Sequence, residues 1–181
     1  MKKIRSIDSA LSGLLEGFDG LATAIRFKLI GDLLDEKIVS QQTYPGIYFI
    51  EVNTRGVPNE TLDEWVNTFQ VEWKDQMYQD KFVANPQLKR IRTHLAAGDL
   101  KEWMPVYIGK SKHINKRLYE HVSMPLEKKT FALKLNCRPT MISRQWRFST
   151  ISLKGIENYS VIAPKMENAF RNHFHPIVGR Q

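Results

Sequence analysis

The sequence predicts an α+β fold, with a small, mainly antiparallel three-stranded sheet flanked by helices. Three observations predict it. Residues 46–52 and 105–109 are short apolar runs rich in β-branched and aromatic residues. Residues 146–153 alternate apolar and polar, the period of a strand with one covered face. Elsewhere apolar residues recur at three- and four-residue steps, the period of helices that pack one face.

In chain order, Ile7, Leu11, Leu14, Leu15 and Phe18 form a helical stripe over residues 7–18. A second helix is expected over about 20–37, from Leu21, Ala24, Ile25, Leu29, Leu33 and Leu34. These N-terminal helices, residues 1–42, hold none of the motif chemistry and are expected to pack, with substrate contact as the second role. Thr43-Tyr44-Pro45 then leads into the first strand, Gly46-Ile47-Tyr48-Phe49-Ile50-Glu51-Val52. Alternation puts Tyr48 on the face opposite Ile47 and Phe49.

Residues 53–104 form an insert before the second strand, Pro105-Val106-Tyr107-Ile108-Gly109. Leu62, Trp65, Val66, Phe69, Trp73 and Met77 predict an amphipathic helix, with a capping box from Thr61 and Glu64. Leu88, Ile91 and Leu95 predict another after Pro86, ending near Gly98. The aromatic stripe of the first insert helix needs a cover. The leucine-rich N-terminal helices are the expected cover. The alternative is a second copy of the chain, a homodimer.

Ser111 to about Val122 reads as a helix with Ile114, Leu118 and Val122 on its buried side. Arg117 and His121, four apart, share a face. Trp146 to Leu153 is the third strand, and Lys154-Gly155 turns. Pro164 suits the first turn of a last helix that buries Met166, Ala169, Phe170 and Phe174.

The 181 residues fit a single domain, and 42% hydrophobic residues supply its core. One cysteine, Cys137, excludes an intramolecular disulfide, and no Cys/His cluster has zinc-ligand spacing. The basic start, Met1 to Arg5, precedes no unbroken apolar stretch, so no signal peptide is expected. No run is long enough to span a bilayer. A cytoplasmic location and no membrane partner are the expectation.

Charge is concentrated. Residues 110–147 hold ten bases and two acids, whereas the remainder of the chain is balanced. Such a window is an electrostatic footprint for a polyanion. It nominates Lys110, Lys112, His113, Lys116, Lys128, Lys129, Lys134, Arg138, Arg144 and Arg147 as nucleic-acid contacts, with Arg117 among them in sequence.

The order of Gly46-Ile47-Tyr48, Tyr107-Ile108-Gly109, Arg117-x-x-x-His121, a strand, and Glu167 on a terminal helix resembles the GIY-YIG nuclease superfamily. The likeness covers 44–52, 105–123 and 146–176. Within that superfamily the chain is most similar to the stand-alone restriction endonucleases, where Arg-x-x-x-His recurs and an insertion separates the motifs.

The resemblance implies a metal-dependent endonuclease acting on double-stranded DNA, a restriction or defence enzyme, with a repair or mobile-element nuclease second. A binding protein with a decayed site is the rival. Tyr48 and Tyr107 would flank the scissile phosphate, and Tyr48 would orient the attacking water or help deprotonate it. A tyrosine ordinarily titrates near ~10, so it needs a nearby cation. Lys110 and His121 are within reach for that. Arg117 would clamp the phosphate, its competing role being an ion pair with Glu120. Glu167 would hold one divalent cation, magnesium with manganese as a substitute; otherwise it serves a helix N-terminus. His94 is a weaker candidate, and His173 and His175, without a third ligand, read as structural or solvent-facing. The family's asparagine after the last helix has no counterpart here: Pro176-Ile177-Val178 is followed by Gly179, and Asn168 and Asn172 are out of register.

Overall fold

The computed structural model describes residues 1–55, 60–74, 84–98 and 100–179. The chain begins with one long helix, α1 (Lys2–Ala24), followed by β1 (Lys28–Asp32) and a short helix, α2 (Glu36–Ser40). β2 (Gly46–Asn53) is the first motif strand. The insert supplies α3 (Leu62–Trp73), a two-residue strand β3 (Asn85–Pro86) and α4 (Leu88–Ala97). β4 (Trp103–Ser111) and α5 (Ile114–Ser123) carry the second motif. A 3₁₀ turn (Leu135–Cys137), α6 (Pro139–Ile142), β5 (Trp146–Ser152), α7 (Tyr159–Phe174) and β6 (Val178–Gly179) complete it.

The α+β class stands, but the main sheet has four strands. Their order is β1-β5-β2-β4, and every neighbouring pair is antiparallel. The extra strand comes from the segment expected to be the second helix. α1 ends at Ala24, and Ile25 is already extended. Phe27 then docks against Phe49, Phe170 and Phe174. The next residues pair with the free edge of β5, from Lys28 opposite Thr150 to Asp32 opposite Arg147. Tertiary pairing thus overrides a helical period.

Tyr48 and Phe49 do face opposite sides. Ile47, Phe49 and Ile108 meet α7 and the end of α1 in one cluster. Tyr48, Ile50, Val52, Val106 and Phe148 join α3 and α5 in the other. The insert is part of this second core. Trp65 stacks on Phe69 and Phe69 on Trp73, all three buried. Thr61 and Glu64 form the expected capping box, and Gly98 ends α4 at φ 79. Met77 lies outside the described residues.

The cover for that stripe is not α1. It is the sheet and the 3₁₀ region: the Trp73 indole donates to the Ala84 carbonyl, and the Arg138 guanidinium lies 3.8 Å above the Trp73 ring. β3 pairs with β6, so the insert is stitched to the end of the chain. α1 packs on α7 instead, and only by its second half. Pro164 lies inside α7, whose first turn begins five residues earlier at Tyr159.

Candidate active site

β2 and β4 lie side by side, with Tyr48 directly opposite Gly109. This pairing explains the glycine of the second tripeptide. A Cβ on Gly109 would sit 2.4 Å from the Tyr48 hydroxyl oxygen and 2.8 Å from the Tyr107 ring. Only glycine lets the Tyr48 ring lie across the neighbouring strand. The rings of Tyr48 and Tyr107 are stacked, with centroids 6.1 Å apart and planes 15° apart. Gly46 is required for a different reason: a Cβ there would meet the Ile151 carbonyl of β5 at 2.2 Å.

α5 brings Arg117 and His121 beneath these rings. Its buried side is Ile114, Leu118 and His121. The imidazole is fully buried and lies 4.5 Å, centroid to centroid, from Tyr107. Its Nδ1 accepts the backbone N–H of Leu133 at 3.1 Å, and its Nε2 is 2.9 Å from the Tyr48 hydroxyl. Burial, reinforced by the Arg117 charge, holds the His121 pKa well below its usual value. The ring is therefore neutral at pH 7. With Nδ1 engaged as an acceptor, the proton sits on Nε2 and is donated to Tyr48.

Arg117 gives one guanidinium nitrogen to Glu120 and another to the Phe131 carbonyl, and its charge acts on Tyr48. Burial opposes its charge, but Tyr48, Glu120 and Tyr107 outweigh that and its pKa is raised. The Glu120 ion pair expected as the competing role is therefore present, alongside that action on Tyr48. The Tyr48 pKa is raised well above normal, by burial first and then by Tyr107, with Arg117 pulling the other way. Tyr48 rests as a neutral phenol whose oxygen accepts the His121 hydrogen bond.

Glu167 comes to the same cleft from α7. It lies two turns beyond Tyr159, so its alternative role at a helix N-terminus does not hold. Its Oε2 pairs with the Lys110 ammonium at 2.5 Å. Tyr48, Tyr107, Gly109, Lys110, Arg117 and Glu167 line one open cleft of about 330 Å³, together with Ala84, Phe131 and Arg171. Every member of the predicted catalytic set lines this cleft except His121, which lies behind Tyr48.

Arg171 was not predicted. It stands one helical turn after Glu167, and only that four-residue spacing in the sequence marked it. Tyr159 was also missed: burial and Glu167 push its pKa up to about 12.

Besides Lys110, which is paired with Glu167, four of the ten nominated phosphate contacts face inward or are paired. Lys134 is fully buried, its ammonium donating to the carbonyls of Leu126 and Lys128. Arg138 is fully buried over Trp73. Arg144 lies beside Glu60, and Arg147 makes a two-pronged ion pair with Glu51 at 2.8 and 3.0 Å. Their charges hold loops and strands together. Lys110, Lys112, His113, Lys116, Lys128 and Lys129 are exposed.

His94 is buried and donates to the His175 carbonyl, and His175 caps α7 at φ 52. His173 is exposed, as are Asn168 and Asn172. Among the described residues no three His, Cys, Asp or Glu side chains group as a metal site. Glu167 is thus a lone carboxylate. That donor set still fits magnesium, which keeps most of its water and takes phosphate oxygens. No helix among the described residues is long and apolar enough to cross a membrane.

No family model matches the chain, and no curated protein or solved structure matches it.

Proposed function

We propose that the chain is a GIY-YIG-type endonuclease that hydrolyses DNA phosphodiesters with one divalent cation. The observation that carries this reading is the cleft itself. Two stacked tyrosines, Arg117, Lys110 and Glu167 converge on about 330 Å³, with a neutral histidine behind the first tyrosine. The cations Lys110, Arg117 and Arg171 beside one carboxylate suit a phosphodiester better than a neutral substrate.

In this reading the phosphate lies against Arg117 and Lys110, whose N–H groups neutralise charge that grows on the nonbridging oxygens. Water adds to phosphorus, the P–O3′ bond breaks, and the products carry 5′-phosphate and 3′-hydroxyl ends. Tyr48 orients the water and, once its own proton has passed to solvent in the open cleft, accepts the water's proton as a phenolate, while the leaving O3′ takes up a proton from solvent. The hydrogen bond from His121 and the Arg117 charge favour the phenolate that this role requires, against the burial that opposes it. His121 keeps its proton and acts through Tyr48. Magnesium, or manganese in its place, would be held by Glu167 and would offset charge on the leaving oxygen. The Lys110 ammonium must leave Glu167 for this to happen, which frees it for the phosphate.

Double-stranded DNA is the proposed substrate and restriction or defence the proposed role. The test is incubation with plasmid DNA and magnesium, with and without chelator, beside Glu167→Ala. Metal-dependent cutting that Glu167→Ala abolishes supports the reading. Binding without cutting would favour the decayed-site reading, which the Lys110–Glu167 ion pair supports because it neutralises the carboxylate without a metal.

A further inference from the structure

α4 turns one face toward β6 and the end of α7. Gln87, at its start, donates from Nε2 to the Gly179 carbonyl at 3.1 Å and from its backbone N–H to the Ile177 carbonyl at 2.8 Å. His94, two turns on, donates to the His175 carbonyl at 2.8 Å. Arg90 stands three residues after Gln87 and four before His94, on the same face. It therefore points between Gly179 and His175, toward the last turn of α7. Arg171 occupies that turn, and its Nη2 lies 3.1 Å from where a Cβ on Gly179 would sit. The insert and α7 thus bring two guanidiniums together at the side of the cleft that Arg171 lines.

Their surroundings are electropositive. Arg90 is half-buried, and its Nη1 has no hydrogen-bond partner among the described residues. Burial first, and then the Arg171 charge, lower its pKa to about 10. Lys89, Lys101 and His173 add to the same field, for each joins Arg90 in depressing His175. A buried guanidinium nitrogen without an acceptor, beside a second guanidinium, is costly to the chain alone. An anion with oxygens for both side chains removes that cost, because it fills the vacant donor and offsets the like charges. Composition hides this cluster, since the bases and acids of residues 53–104 nearly cancel.

The position of the pair selects the anion. Arg171 follows Glu167 by four residues, about 6 Å along α7 at 1.5 Å per residue. A nucleic-acid strand with one phosphate at Glu167 and Arg117 brings its next phosphate to this side of the cleft. We propose that Arg90 and Arg171 together form a second phosphate site, which holds the backbone phosphate beside the scissile one. The site rests on the polyanion reading of the cleft, and it gives the insert a function: α4 grips the strand that the cleft acts on.

The test is binding of a labelled DNA duplex over a range of salt, read by fluorescence anisotropy, with chelator present so that no strand is cut. Arg90→Met should lose about ten-fold in affinity and about 0.9 in the log–log salt slope, the loss of one phosphate contact. Arg171→Met should do the same. The double variant should lose no more than either alone, because both side chains hold one phosphate. Arg92→Met removes an equal charge from the exposed side of α4 and should leave both quantities near wild type. Without DNA, Arg90→Met should melt no lower than wild type, because it removes a half-buried charge. A wild type that binds no DNA overturns this site together with the reading of the cleft. A wild type that binds and, with magnesium, cuts, beside an Arg90→Met protein that binds equally well, overturns this site alone. So do additive losses in the double variant, or an equal loss in Arg92→Met. An Arg90→Met protein that melts lower with an unchanged salt slope would make Arg90 a structural residue and would equally overturn it.

Discussion

The Tyr48 hydroxyl lies 2.9 Å from Nε2 of His121, and the opposite ring nitrogen, Nδ1, accepts the Leu133 amide. The backbone therefore chooses the tautomer, and the tautomer makes His121 a donor to Tyr48. ¹⁵N NMR of His121 should show a protonated Nε2 and a bare Nδ1 at neutral pH. A proton on Nδ1 would reverse the roles. In cleavage assays Tyr48→Phe should keep the fold and lose about 10²–10⁴-fold in rate, the range for a lost acid–base group. His121→Gln, which retains an N–H at a similar reach, should lose less than His121→Ala.

His121 also predicts an acid-sensitive fold. Its folded pKa is depressed, by burial first and then by Arg117, while the unfolded ring titrates near ~6.5. The sign follows from linkage: its contribution is whole above the unfolded pKa. Below it the unfolded chain binds a proton that the folded chain refuses, and stability falls until the folded pKa is passed. The loss should begin below about pH 6.5 with a slope of about 1.4 kcal/mol per pH unit for this one site. His94 is depressed too, by burial against the opposing His175 carbonyl, and adds to the slope. Denaturant titrations at stepped pH should show a shallower decline in His121→Gln. An equal decline in both proteins would remove His121 from the account.

The basic window separates into two kinds of residue, and mutation should separate them too. Lys128 and Lys129 are exposed, whereas the Lys134 ammonium is buried on two carbonyls. Lys128→Glu with Lys129→Glu should flatten the salt dependence of DNA binding, at about 0.9 in the log–log slope per lost phosphate contact. Its melting temperature should not move. Lys134→Met should do the reverse: it strands two carbonyls, at roughly 1–3 kcal/mol each, with no direct effect on the slope. A salt-insensitive affinity in the wild type would dismiss the polyanion reading of the exposed lysines.

The candidate site cluster was legible in the sequence because its members sit at fixed spacings on regular elements. Four residues on one helix turn set Arg117 and His121 to one side, and strand alternation set Tyr48 against Ile47. The helix α3 was legible for the same reason, down to its Thr61–Glu64 cap. Three features were not. Lys28–Asp32 became a strand because β5 offered an open edge, which no local pattern announces. Lys134 and Arg138 looked like surface charges because composition does not report which way a side chain points. Pro164 looked like a helix start, yet the helix begins at Tyr159, where only a proline-bound hydrogen bond near its N-terminal end is lost. That misplacement also made Glu167 look like a first-turn residue.

Glu167 and Lys110 make a coupled prediction. With the ammonium 2.5 Å from Oε2, a divalent cation must compete with Lys110 for the carboxylate. Glu167→Ala should abolish cleavage and leave DNA affinity within a few-fold, since the metal acts chiefly on the transition state. Lys110→Met should bind manganese more tightly in the absence of DNA, read by calorimetry, while Glu167→Ala should show no heat. Unchanged manganese affinity in Lys110→Met would mean that the cation does not bind at Glu167.

The two glycines should fail in different ways. A Cβ on Gly109 meets the Tyr48 hydroxyl at 2.4 Å and the Tyr107 ring at 2.8 Å, and both are side chains with some room to shift toward the cleft. Gly109→Ala should therefore fold, at a cost of about 1–3 kcal/mol for overpacking. Its activity should fall as far as that of Tyr48→Phe, because the Tyr48 oxygen is pushed away from His121. A Cβ on Gly46 meets the backbone carbonyl of Ile151 at 2.2 Å, at the end of the β2–β5 ladder beside the Ile47–Ile151 pair. Backbone does not yield as a ring does, so Gly46→Ala should give insoluble or molten protein. The check is a pair of melting curves beside a pair of cleavage rates. A folded, fully active Gly109→Ala protein would show that Tyr48 need not lie across β4, and the site geometry described above would fail with it.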